Sequence, residues 1–307
     1  MVRSHRMRHR PRLTIGLPVH DGADYLAEAV ESVLTQTFSD FELVLADNAS
    51  TDASADICRR YAADDDRVRY LPSRSNRGSA WNWNRCVAEA TAPKFQWLCH
   101  DDALEPDNGT RLVAALDGAG DDVVCAYSHT LLMDAGGTVA GRYDDRLDLE
   151  AATPHERLES VMVHLELVNP LFGVYRTGVL TSTRLMQGFA RADTALMVEL
   201  FLRGRAVKVD ADLFRRRRHD AASMVAHETT AALDRFYDPN RRSATRFPTW
   251  RLFRTYARAV AEAPLSPAER ARCTVLLGKS RYRKGLWREV RALAVRAHPR
   301  DRGPRDR

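Results

Sequence analysis

Four acidic positions in this chain stand where a carboxylate could act on a bound phosphate or hydroxyl. Asp47 ends the apolar run Phe41–Ala46, and Asp101 and Asp102 close the apolar run Phe95–Cys99. Asp193 opens a helical stretch much further along. A carboxylate at a strand end can anchor a hard divalent cation such as Mg2+ or Mn2+, with waters completing its shell. Such an ion can neutralise charge on a bound phosphate. An acid at a helix start can take the proton of an attacking hydroxyl. Each position also has a plainer use. Asp101 or Asp102 could cap the next helix, worth about 1 kcal/mol. Asp47 could close an Asx turn shared with Asn48, Ser50 and Asp52, and Asp193 could simply favour the helix dipole. Among the cations, Arg217, Arg218 and His219 end a β-prone run from which they could reach a diphosphate. His219 is also a usable metal ligand. Arg215–Arg218 are four in a row, so strand alternation must send some of them outward.

Short apolar runs position these groups. Residues 12–19 are β-prone up to Pro18, and residues 23–36 carry Leu26, Ala29, Val30, Val33 and Leu34 at helical spacing. Strands are expected at 41–46, 68–71, 95–99 and 122–127, with helices at about 50–61, 80–90 and 107–116 between them. Strand and helix alternating through short loops predict a mostly parallel sheet with helices on both faces. Ligands then bind outside the carboxyl ends of the strands, where Pro18–Gly22, Asp47–Asp52, Ser73–Gly78 and His100–Asp102 collect. Further on, Leu131–Met133 and Thr138–Arg142 flank a glycine turn and predict a hairpin. Residues 154–164 and 192–202 are expected to be helical, and 207–209 and 213–216 short strands around a turn. Ser266-Pro-Ala-Glu269 has the form of a capping box with proline at the first helical position.

The chain has 307 residues, 44% of them hydrophobic, enough for a full core. Its net charge of +6 is unevenly placed. Five arginines sit in residues 1–12, and residues 279–307 carry a net +8, leaving about −7 for residues 13–278. An acidic body with basic ends argues against a nucleic-acid groove. Leu286, Val290, Leu293 and Ala297 at helical spacing in the basic C-terminus suit docking on the body or lying on an anionic membrane face. Cysteines 58, 86, 99, 125 and 273 contain no Cys-x-x-Cys pair, which points to a reducing compartment. With no apolar run behind the basic N-terminus, a cytoplasmic location is expected, with at most peripheral contact at the inner face of the membrane.

Together the motifs resemble the family 2 glycosyltransferases of the GT-A fold. Ile15-Gly-Leu-Pro-Val-His-Asp-Gly22 with Ser32-Val-Leu-Thr-Gln-Thr37 is close to that family's opening strand, turn and helix. Leu45-Ala-Asp-Asn-Ala-Ser-Thr-Asp52 is similar to its acidic nucleotide loop, and Ser75-Asn-Arg-Gly-Ser79 to its Asn-x-Gly turn. Trp97-Leu-Cys-His-Asp-Asp-Ala103 stands where the family has Asp-x-Asp, with Cys99 and His100 departing from the strict pattern. Ala192-Asp193 and Arg217-Arg-His219 resemble the acceptor-side acid and a later basic pair. The resemblance implies a GT-A-type, Rossmann-like sheet domain over 12–225, split into a nucleotide-binding half (12–127) and an acceptor-binding half (128–225). A basic tail (1–11) precedes it and a helical C-terminal extension (226–307) follows.

What the resemblance implies for chemistry is an inverting, single-addition transfer of a sugar from a UDP-, dTDP- or GDP-linked donor. The acceptor would be a small molecule, a glycan or a lipid-linked compound. Pro18, His20, Asp21, Asp47, Asn76, Gly78, Asp101 and Arg218 are its candidate nucleotide-sugar contacts. Asp102 and His219 are candidate ligands of Mn2+ or Mg2+, and Asp193 the candidate general base. No nucleic-acid partner is expected, and a homodimer stays open. Absence of the phosphate-loop, dinucleotide, zinc-protease and hydrolase motifs weighs against those enzymes. A sugar-nucleotide nucleotidyltransferase and a non-catalytic sugar-binding protein are the alternatives. Pro18–Gly22 lacks the glycines and the basic residue that the first would need.

Overall fold

The computed structural model describes residues 10–220, 229–241 and 245–279. The stretch 286–297 therefore lies outside the described residues, as does most of the basic N-terminal tail. Strands β1 (Leu13–Val19), β2 (Phe41–Asp47), β3 (Val68–Pro72) and β4 (Lys94–Trp97) pair in parallel in the order β3-β2-β1-β4. Helices α1 (Ala23–Leu34), α2 (Ser54–Asp64) and α3 (Ser79–Ala88) connect them. Every residue of β1 and β2 is buried, as expected of central strands covered on both faces. Helix α3 lies hard against β1: a Cβ at Gly16 would come within 2.6 Å of Cys86 Cβ. Register sets the ends of the first three strands level, with Val19 opposite Asp47 and Asp47 opposite Pro72. Three polar loops therefore leave the sheet side by side.

The second half extends the same sheet. It comprises β5 (Ala103–Leu104), α4 (Asn108–Asp117), β6 (Val123–Met133), β7 (Val139–Tyr143), α5 (Pro154–His164) and β8 (Val174–Arg176). A 3-10 turn at Asn169–Phe172, α6 (Thr177–Thr181), α7 (Ala192–Phe201) and β9 (Arg205–Arg217) complete it. The sheet order is β3-β2-β1-β4-β8-β6-β9-β5, with β7 on β6. The predicted hairpin is β6–β7, turning at Asp134–Gly137. Most paired residues lie in parallel pairs, the longest being β6 with β9.

Two expectations need correcting. Strand β6 does not continue the parallel sheet beside β4, because the short antiparallel strand β8 intervenes. Residues 207–216 are not two strands around a turn. They belong to one 13-residue strand, β9, which stays on β6 through register shifts at Ser128–Thr130. Pairing along β6 absorbs Asp210 and Ala211 as a local irregularity.

Beyond residue 228, α8 (Thr230–Tyr237), α9 (Pro248–Glu262) and α10 (Pro267–Lys279) pack on the body. Helix α8 meets α3, α9 meets α7, and α10 meets α5. Ser266 Oγ accepts the Glu269 N–H at the start of α10, the bond the capping pattern predicts.

Candidate active site

The three level loops are tied to one another by side chains. Asn48 is the hub: its Nδ2 donates to Asn76 Oδ1 at 2.9 Å, and its Oδ1 accepts the Arg77 N–H at 3.0 Å. Asn76 Oδ1 also accepts the Gly78 N–H, and Asn76 Nδ2 meets His20 Nε2 at 2.8 Å. Gly78 sits at φ +90°, a backbone that glycine adopts at little cost. Asp21 Oδ1 accepts the Thr51 N–H at 2.6 Å and so joins the first loop to the second. Pro18, His20, Asp21, Asn48 and Asn76 all face a cavity of about 960 Å³ outside the carboxyl ends of the strands.

Asp47 stands behind that wall. It is 3% exposed, with Oδ2 accepting from Tyr70 Oη and Oδ1 from the Ser50 N–H, both at 2.9 Å. Strand alternation turns its neighbour Asn48 to the cavity instead. Gly78 also lies outside the lining, its carbonyl accepting from Asn48 Nδ2 at 3.3 Å.

After β4, the chain turns at Cys99–Asp102 and brings three donors together. Cys99 Sγ and carboxylate oxygens of Asp101 and Asp102 lie within 4.8 Å of one another, a spacing that one divalent cation can bridge. Asp101 lines the cavity, and its Oδ2 is 3.0 Å from His219 Nε2. Asp102 is buried, and its Oδ1 accepts the Arg217 N–H at 2.9 Å. Burial, reinforced by the charge of Asp101, pushes its carboxyl well above the usual carboxylate range. Of the two acids, Asp101 is the one presented to a ligand. His219 is held edge-on to Tyr25, with ring centroids 5.0 Å apart.

The basic run at the end of β9 divides as alternation requires. Arg217 is buried and fastens the acidic turn. Its Nε donates to Asp101 O, and its guanidinium lies over Tyr25 and pairs with Glu28. Arg216 faces the cavity and donates to Asn169 Oδ1 at 2.8 Å. Arg218 follows the last strand residue, is exposed, and its N–H donates to Met133 O. The structure therefore brings Arg216, not Arg218, to the cavity.

Asp193 lines the same cavity from the first turn of α7, its Oδ1 accepting the Thr194 N–H at 2.7 Å. Burial raises its pKa, opposed by that bond and by the charges of Arg191 and Arg216. His100 also lines the cavity, and burial holds its imidazole below the usual pKa. Trp83 turns to the cavity and packs on Trp97 and Phe172, whereas Trp81 lies beneath Arg77 and Arg85. The sequence reading named none of Asn48, Cys99, His100, Trp83 and Arg216 as a site residue, although all five line the cavity. It gave no sign of Arg235, Phe236 and Tyr237, which α8 adds to the wall.

Residues 14–130 match the family model described as glycosyl transferase family 2. The chain is 31% identical over 112 residues to the putative glycosyltransferase EpsE of Bacillus subtilis, covering 36% of this chain and 40% of that protein. It thus spans well under half the length of this curated relative. Among solved structures, TarS 1–349 of S. aureus in complex with UDP-GlcNAc superposes with a TM-score of 0.63 at 16% identity. That match covers 84% of this chain and 69% of that one. The mannosyltransferase PcManGT of Pyrobaculum calidifontis, in complex with GDP-Man and Mn2+, superposes at 0.51 and 16% identity, covering 94% and 87%. These likenesses show the GT-A fold. Among the described residues no helix is long and apolar enough to cross a membrane.

Proposed function

With residues 14–130 a glycosyl transferase family 2 region on a GT-A fold, we propose that the cavity transfers one sugar from a nucleoside diphosphate to an acceptor hydroxyl, with inversion. One observation carries this reading: the linked polar loops, Cys99 and Asp101 of a three-donor cation set, and the half-buried Asp193 carboxylate line a single cavity. The relatives' ligands, UDP-GlcNAc and GDP-Man, are of the class such a cavity would take.

His20, Asn48 and Asn76 hold the nucleoside, while Asp47 supports their loop from behind through the Ser50 N–H. Cys99, Asp101 and Asp102 fit a divalent cation, Mn2+ or Mg2+, which supplies charge neutralisation at the leaving diphosphate. His219 positions the Asp101 carboxylate, and Arg216 adds a fixed positive charge facing the phosphates. Asp193 accepts the acceptor's proton as its oxygen bonds to the anomeric carbon. The bond from that carbon to the diphosphate oxygen breaks on the opposite face, and its electron pair leaves with the nucleotide. Direct displacement of this kind inverts the anomeric centre. Burial serves the base by bringing its pKa closer to neutral pH, where proton transfer is most effective.

A panel of UDP-, dTDP- and GDP-sugars incubated with Mn2+ tests the reading. Release of the nucleoside diphosphate by the full chain is expected with at least one donor, and loss of that release in Asp193→Asn. A chain that neither binds nor cleaves any of them is not such an enzyme.

A further inference from the structure

Helix α8 lies beyond the matched family region, yet it forms part of the cavity wall through Ala232, Arg235, Phe236 and Tyr237. It is fixed at both sides of the site. Toward the nucleotide loops, Tyr237 O closes over Gly78, where a Cβ would come within 2.4 Å of it. Toward α7, buried Asp234 accepts the Ala190 N–H at 3.0 Å, and Arg241 Nη1 donates to Gly188 O at 2.6 Å. Asp234 also accepts from the Thr245 N–H and hydroxyl, which secures the helix from behind. The loop leading into Asp193 is therefore bonded to α8.

Tyr237 closes the C-terminal end of α8 and lines the cavity. Its ring packs edge-on to Phe236, with centroids 5.5 Å apart. Among the described residues its hydroxyl makes no hydrogen bond. Burial, reinforced by the negative charge of Asp193, pushes its pKa well up. A transferred sugar must lie between the cation set at Cys99–Asp102, which faces the leaving diphosphate, and Asp193, which faces the incoming hydroxyl. Tyr237 lines the same cavity as Cys99, Asp101 and Asp193.

We infer that Tyr237 is the specificity-determining residue of the donor-sugar subsite, its ring against the pyranose face and its hydroxyl bonded to one sugar hydroxyl. This rests on the nucleotide-sugar reading given above. Aromatic faces suit the C–H face of a pyranose. A site that hydrogen-bonds a substrate hydroxyl discriminates against an analogue that lacks or misplaces it.

Calorimetry on the full chain with Mn2+ tests this, using UDP against UDP-GlcNAc and GDP against GDP-mannose. Tyr237→Phe keeps the ring, and its melting temperature should match that of the wild type. Its affinity for the nucleoside diphosphate should stay within about twofold, while that for the nucleotide sugar weakens about fivefold to tenfold, as for one lost hydrogen bond. Tyr237→Ala should widen that gap. Rates of hydrolysis of UDP-GlcNAc and UDP-GalNAc should converge in Tyr237→Phe. Equal weakening of both ligands of a pair would make Tyr237 part of the nucleotide wall and overturn the inference, as would no change in either. If the wild type binds none of the four ligands, the nucleotide-sugar reading itself falls and this inference with it.

Discussion

The two sides of the cavity are held in place differently. On the side proposed to hold the nucleotide, Asp21, Asn48, Asn76 and Asp52 bond loops that leave adjacent parallel strands, so each motif lies beside its partner in space. On the opposite side, Asp193 and Tyr237 depend on ties between distant pieces of chain. Asp234 bonds to Ala190, 44 residues earlier, and Arg241 bonds to Gly188, 53 residues earlier. The first side is set once the sheet registers; the second needs the whole body folded.

That contrast is most exposed by mutations that touch one side alone. Asp193→Asn should lower the transfer rate by about 10²–10⁴-fold, the typical contribution of a general base. Nucleoside diphosphate affinity should be unchanged. The wild-type acid limb follows from the raised pKa: the base works ionised, so activity is present above that pKa and lost as pH falls through it. The limb should therefore lie above the usual aspartate value, and a pH–rate profile with no such limb would return Asp193 to a helix-end acid.

A smaller effect, on stability, is expected on the far side. Asp234→Ala removes a buried acceptor of three hydrogen bonds and should cost about 2–4 kcal/mol in denaturant unfolding. Burial alone would raise the pKa of Asp234, but its bonds to Thr245 and Ala190 outweigh this and hold it low. A lowered pKa stabilises the fold above the unfolded value, and that share is lost as pH falls through the folded one. The wild type's margin over Asp234→Ala should accordingly shrink in acid. An equal loss of stability in Asp21→Ala would erase the contrast between the two sides.

The smallest expected effect concerns Cys99. A sulfur among carboxylates favours softer divalent ions over Mg2+. Cys99→Asp should shift the preference severalfold toward Mg2+ in metal titrations followed by thermal shift. An unchanged metal order would place Cys99 outside the cation shell.

The same contrast explains what the sequence made legible. The four parallel strands, their helices and the polar loops at their carboxyl ends follow from period and turn chemistry, and the structure has them. Strand β8 is three residues long, too short for periodicity to register. The break at Asp210–Asp212 imitates a turn, although pairing with β6 carries the strand through. Which side chains face the cavity depended on alternation that motif spacing does not report. Asn48 and Arg216 line the cavity, whereas Asp47 and Arg218 do not. Tyr237 carried no local signal, since its role arises from the docking of α8 on Gly78 and Ala190.

The central claim is that a nucleoside diphosphate binds this cavity through a cation held at Cys99, Asp101 and Asp102. Its most direct test is calorimetric titration of UDP and GDP into the full chain, with Mn2+ and again in excess chelator, for wild type and Asp101→Ala. The account predicts binding of at least one nucleotide with Mn2+, at least tenfold weaker in chelator, and a variant that binds weakly in both conditions. Equal affinity with and without metal, or full metal-dependent binding in Asp101→Ala, would contradict it.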